Sequence, residues 1–193
     1  MPAATEKKLW TSEDLEAFPD DGVERFIIDG KLYEEPTGED MSLYSPAHAS
    51  ALIAAGTILK NWVKSRPDPR PVVYGGDIFF KFRNDPDTDV GVDIALCSPE
   101  QTAQVTPYSR FVEGAPILAV EILSPSDRTQ KVRTKTNAYL SHATPLVWVV
   151  DPFDRAVTVY RPNQPPVLFN SGMELVCEPE LPGFRCRVND LFE

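Results

Sequence analysis

The sequence predicts a mixed α/β (α+β) domain, a central mixed β-sheet flanked by helices with extra N- and C-terminal hairpins, taken as one unit over residues 1–193. Three features predict it. Residues 90–97 and 117–123 are apolar runs of strand length, each interrupted by a single acid, Asp93 and Glu121. Segments with helix-start signals stand before and between such runs, at residues 45–63 and 124–139. An Asp29-Gly30 pair divides two strand-like runs near the N-terminus.

In order along the chain, residues 11–18 carry cap residues, then acids, then Pro19, and predict a short helix. Residues 24–28 and 31–34 form a hairpin around Asp29-Gly30, a pair that suits the positive backbone angles of a type I′ turn. Residues 35–45 read as loop. Ser45-Pro46 opens a longer helix through Val63, with Gly56 permitting close packing, and the proline-rich stretch 65–71 ends it. Residues 72–82 read as strand broken by a turn or bulge at Gly75-Gly76, 84–89 as a polar turn, and 98–116 as a variable surface connection. After the Glu121 strand and its helix, 146–150 and 156–160 predict a hairpin, followed by short strands at 167–170, 174–177 and 184–188.

Composition narrows the function. The chain is 42% hydrophobic and 25% charged, ordinary for a globular protein. Its apolar runs fall short of the roughly 20 residues of a membrane span, and the N-terminus lacks a secretory signal, so a cytoplasmic protein without a membrane partner is expected. Cys97, Cys177 and Cys186 are scattered without a close pair, which argues against disulfides and structural zinc. With only His48 and His142 available, any metal would be a hard ion held by carboxylate oxygens. A net charge of -10 counts against nucleic-acid binding unless a basic face exists locally.

Glu121 is the residue that asks for an explanation. Ile117, Ala119 and Leu123 share its face by strand alternation, while Leu118, Val120 and Ile122 take the other. A carboxylate in a strand covered on both faces costs several kcal/mol as an order of magnitude unless a cation or donors meet it. Ser124, Ser126 or Asp127 would cap the following helix, on which Lys131, Lys135 and Tyr139 recur every four residues along one face. Two readings stay open: half of a catalytic site, or a structural ion pair between Glu121 and a helix lysine. Asp93 repeats the same oddity in its own strand.

The motifs, read together, resemble the Uma-type family within the PD-(D/E)XK nuclease superfamily. The resemblance runs through 24–30 with Leu32 and Tyr33, Ser45 to His48, 90–93, 119–128, Lys135, Tyr139, 147–152, 181–184 and 191–192. It implies a restriction endonuclease-like core and an endonuclease that hydrolyses DNA phosphodiester bonds with Mg²⁺ or Mn²⁺. In that reading Asp93, Glu121 and the backbone carbonyl of Ile122 would hold the ion. The superfamily's usual lysine, two residues after the glutamate, is replaced here by Leu123, so Lys135 is the candidate catalytic lysine, with Lys131 as substitute. Val92 stands where the family has a proline.

Auxiliary roles keep their alternatives. His48 would contact phosphate or else cap and pack. Glu24 would complete an acidic cluster or else be a surface strand acid. Tyr139 reads as core or site wall, Trp62 and Trp148 as core, Arg128 and Arg133 as phosphate contacts or a solvated helix face. The fold analogy adds duplex DNA and a second copy of the chain as partners. The competing functions are a catalytically inactive nuclease fold that binds DNA or a partner, and a hydrolase of a small phosphate ester.

Overall fold

A computed structural model describes residues 8–19, 21, 23–35, 45–82, 86–125 and 129–193. Helix α1 (Ser12–Glu16) has Thr11 as N-cap, and the Asp14 carboxylate accepts from the Thr11 amide to complete a capping box. Strands β1 (Glu24–Ile28) and β2 (Lys31–Glu35) pair antiparallel. Asp29 and Gly30 between them both take positive φ, 50° and 68°, as the type I′ turn requires. The loop expected over 35–45 lies almost wholly outside the described residues.

Helix α2 (Pro46–Lys64) starts on Ser45, whose hydroxyl accepts the His48 amide, with proline at the first turn. It buries Ala51, Ala55 and Leu59 against one face of the sheet. A Cβ at Gly56 would touch Ile94 Cδ1 at 4.0 Å, ordinary contact, so this glycine is not what lets the helix approach. Strand β3 (Val72–Phe82) runs antiparallel to β4 (Thr88–Cys97) with an irregularity between Gly75 and Ile78, the expected bulge.

Among the described residues nine strands form one mixed sheet, in the order β2-β1-β4-β6-β7-β8-β9 with β3 also on β4 and β5 on β3. Strand β6 (Leu118–Ile122) lies antiparallel to β4 and parallel to β7 (Leu146–Asp151). The crossover between β6 and β7 carries helix α4 (Thr129–Ser141). Strands β8 (Ala156–Tyr160) and β9 (Val167–Asn170) extend that edge, and β10 (Glu174–Val176) pairs with β11 (Arg185–Arg187) separately. One apolar cluster, with Leu118, Val120, Ile122 and Trp148, fills the α2 side of the sheet. A second, with Ala119, Ala138, Tyr139 and Val147, fills the α4 side.

Some expectations need correction. The connection 98–116 is not plain loop: it holds α3 (Pro99–Thr102), capped by Ser98, and β5 (Phe111–Glu113), which pairs parallel with β3. Thr88 and Asp89, expected in a polar turn, are fully buried residues of β4, and Asn84 and Asp85 lie outside the described residues. Among the described residues neither carboxylate oxygen of Asp89 has a hydrogen-bond partner, and burial pushes its acid up from the ordinary range. Ile117 precedes β6 and packs with the cluster on the α2 side, not on the face of Glu121. The first described residue of α4 is Thr129; Ser126, Asp127 and Arg128, where two of the expected caps fall and where Ser124 would act, lie outside the described residues. A short 3-10 helix, Val188–Phe192, closes the chain, and its Val188 and Leu191 join the core because apolar side chains three apart share a face of that tighter spiral.

Candidate active site

Strand β4 is where the sheet divides. β3 covers one of its edges from Thr88 to Cys97. The other edge is shared: β1 meets it at Asp89, and β6 meets it only at Ile94, Ala95 and Leu96. Asp93 therefore sits at the fork, one residue beyond the last β6 pairing, and level with Glu121 because Ile94 pairs with Val120. Backbone groups at a fork lack their usual ladder partners and must find others. The Ile122 amide donates to Asp93 Oδ2 at 2.6 Å. The Gly91 carbonyl lies 2.6 Å from the Tyr139 hydroxyl.

Helix α4 supplies the remaining groups from successive turns, as the four-residue spacing foretold. Lys135 Nζ donates to Glu121 Oε2 at 2.8 Å, with Glu24 Oε1 at 4.0 Å. Lys131 Nζ reaches Glu24 Oε2 at 3.0 Å. The Tyr139 hydroxyl stands 2.5 Å from Glu121 Oε1. His48, near the start of α2, brings Nε2 to 3.6 Å from Asp93 Oδ2. Asp93 and Glu121 keep 12% and 11% of their side-chain surface exposed, enough to leave the pair at the edge of solvent.

The electrostatics follow from burial and crowding. Burial lifts the Glu121 carboxyl from 4.5 to about 7; Lys135 pulls it back, while the charge on Asp93 adds to the rise. Burial opposes the charge on Lys135, yet Glu121, Glu24 and Asp93 together outweigh it and keep the ammonium protonated. Tyr139 is held far above its ordinary value, first by burial and then by Glu121. A phenol has one proton, so it cannot donate to both Glu121 Oε1 and the Gly91 carbonyl. The hydroxyl lies within reach of both acceptors and donates to one of them at a time.

All six side chains singled out, Asp93, Glu121, Lys135, Glu24, His48 and Lys131, meet at this fork. The backbone of Ile122 is also present, its amide donating to Asp93. Tyr139, expected as core or site wall, is both: it is fully buried in the core and its hydroxyl contacts Glu121. Its place one turn beyond Lys135 was the available signal.

Among the described residues no group of three or more His, Cys, Asp or Glu is placed to hold a metal ion. Two neighbouring carboxylates, Asp93 and Glu121, are nonetheless the donor set that suits Mg²⁺ or Mn²⁺, since Mg²⁺ keeps several waters and takes one or two carboxylates from the protein. Burial raises Glu121 and the charge on Asp93 adds to it, and a divalent cation between the two carboxylates would offset both effects.

Comparison with known proteins places the fold and the family. The fold matches a crystal structure described as a putative nuclease belonging to DUF820 from Anabaena variabilis ATCC 29413, with a TM-score of 0.76 and 21% identity, over 94% of this chain and 97% of that one. The class is thus a mixed α/β fold shared with that putative nuclease. Residues 12–189 match the Uma2 family model, described as "Putative restriction endonuclease", and the chain belongs to that family. No curated protein matches the sequence.

Proposed function

We propose that the protein is an endonuclease that hydrolyses DNA phosphodiester bonds with Mg²⁺ or Mn²⁺ held at Asp93 and Glu121. The observation that carries the reading is the pair itself: two nearly buried carboxylates level with each other at the fork of β4 and β6, backed by one lysine. When bound, the ion supplies the acidity that makes water a nucleophile and the charge that offsets a pentavalent phosphate. Asp93 is held in place by the Ile122 amide, and Glu121 by Tyr139 and Lys135. Lys135 carries its proton into the reaction and stabilises negative charge at the attacked phosphate. Lys131 holds Glu24 beside it, and His48 flanks Asp93 from the opposite helix. Cutting both strands of a duplex calls for two such sites, so a homodimer belongs to the proposal.

A second reading has its own support. Both oxygens of Glu121 are already engaged by Lys135 and Tyr139, and the chain carries -10 net charge, which suits a nuclease fold retained for binding alone. Supercoiled plasmid incubated with the purified protein, with Mg²⁺, Mn²⁺ or EDTA, separates the two. Metal-dependent nicking lost in Glu121→Ala supports the nuclease. Identical traces for wild type and variant under every metal remove it.

A further inference from the structure

One end of the sheet lacks the protection the others have. A free strand edge exposes N–H and C=O groups that can pair with another chain, and natural edges are guarded by charge, brevity or proline. Among the described residues the sheet ends on β2, β5 and β9. β2 carries Lys31, Glu34 and Glu35, and β5 is three residues long and carries Glu113. β9 follows Pro165 and Pro166 but has no charge, and residues 162–173 contain no acid, base or histidine in a chain that is 25% charged. Seven large apolar side chains stand exposed among the described residues, and four of them, Phe153, Val167, Leu168 and Met173, lie on this edge or in the turns beside it.

The backbone of β9 singles out one residue. Asn170 donates its N–H to Met173 Sδ at 3.3 Å, and its C=O accepts the Met173 N–H at 2.9 Å, so both groups face away from β8. Alternation along the strand turns the N–H and C=O of Leu168 the same way. Among the described residues no turn or loop amide or carbonyl takes them. The Leu168 side chain, 53% exposed, stands at the end of a registered row that runs from Glu121 through Val149 and Thr158. Contact at Leu168 is therefore three strands away from the fork and leaves it open.

We propose that β9 pairs antiparallel with β9 of a second copy of this chain, about a two-fold axis at Leu168. The N–H of each Leu168 donates to the C=O of the other, a contact that the two-fold operation makes identical for both chains. Charge selects the occupant. Two copies at -10 each repel over most of their surfaces and approach at least cost where neither carries charge. The same neutrality gives a foreign acidic or basic segment nothing to recognise. A four-residue edge is small beside the contact of an obligate dimer, so the association is reversible and depends on concentration. The pairing supplies the interface for the homodimer of the nuclease reading, rests on that reading for its purpose alone, and is tested separately from it.

The test is sedimentation velocity of the full chain over a wide range of concentration, for wild type, Leu168→Lys and Ile53→Lys, joined to mild oxidation of Leu168→Cys and Ile53→Cys. Ile53, 67% exposed on α2, is the control. The expected result is a reversible wild-type dimer, weakened by about tenfold or more in Leu168→Lys, where like charges face each other on the axis. Ile53→Lys should associate as wild type does. Leu168→Cys should form a disulfide-linked dimer, since Cα atoms directly opposed in such a pair lie about 5.5 Å apart, within disulfide reach, and Ile53→Cys should not. Val167→Lys, on the other face of the same strand, repeats the charge test should Leu168→Lys fold poorly. A wild type that stays monomeric at every concentration overturns the proposal and leaves the edge to a strand of another protein. A dimer that a lysine on β9 leaves intact overturns β9 as the interface, and one weakened by lysine but not linked through Leu168→Cys overturns the axis at Leu168. Metal-dependent nicking is read independently, so a dimer that pairs as described without nicking keeps the interface and removes only the nuclease.

Discussion

Tyr139 and Glu121 share one short hydrogen bond, 2.5 Å, while the same hydroxyl lies 2.6 Å from the Gly91 carbonyl. The phenol thus ties the glutamate on β6 to the backbone of β4 at the point where the two strands part. Tyr139→Phe keeps the ring and removes this tie, leaving the Gly91 carbonyl unpaired. We expect a loss of about 1–3 kcal/mol in urea denaturation, the cost of an unsatisfied buried polar group.

The raised acid of Glu121 sets a pH dependence. Its folded value, about 7, lies above the ordinary 4.5, so the folded state holds the proton more tightly than the unfolded one. The stabilising contribution is present below about 4.5 and is lost as pH rises through about 7. Melting temperatures of wild type should therefore fall across that window. Glu121→Gln, which cannot ionise, should remove this component, and an unchanged profile would count against a proton on Glu121.

Lys135 is tested by removal and rescue. Lys135→Met leaves Glu121 buried without its cation and should cost about 3 kcal/mol at alkaline pH, where the glutamate is ionised. Near pH 5 the penalty should shrink, because a neutral Glu121 needs no cation. Adding Glu121→Gln to Lys135→Met should restore most of the stability but none of the cleavage. Chemical denaturation of the two variants at both pH values checks it.

Asp93 carries two separable roles. Asp93→Asn keeps an oxygen for the Ile122 amide but gives up the charge; Asp93→Ala gives up both. We expect Asn to stay within about 1 kcal/mol of wild type and Ala to lose about 1–3 kcal/mol. Plasmid nicking should vanish in both. Nicking that persists in Asp93→Asn would exclude Asp93 as an ion ligand.

Much of this was legible in the residues because the site breaks local rules. An acid in an apolar strand is visible at once, and Lys131, Lys135 and Tyr139 at four-residue spacing could share only one helix face. The fork itself was not legible. It depends on β1 and β6 dividing one edge of β4, a non-local pairing that alternation within a strand cannot encode. For the same reason β5 was missed: three residues, Phe111–Glu113, become a strand only because β3 lies beside them. The burial of Thr88 and Asp89 was hidden too, since a polar pair after a turn gives no sign that a sheet will close over it.

The most direct measurement is a Mn²⁺ titration at pH 8 followed by the electron paramagnetic resonance of the free ion, for wild type, Glu121→Gln and Asp93→Asn. The account predicts saturable uptake by wild type with accompanying proton release, and loss of that uptake in either single variant. Equal uptake by all three proteins, or none by wild type, would contradict it.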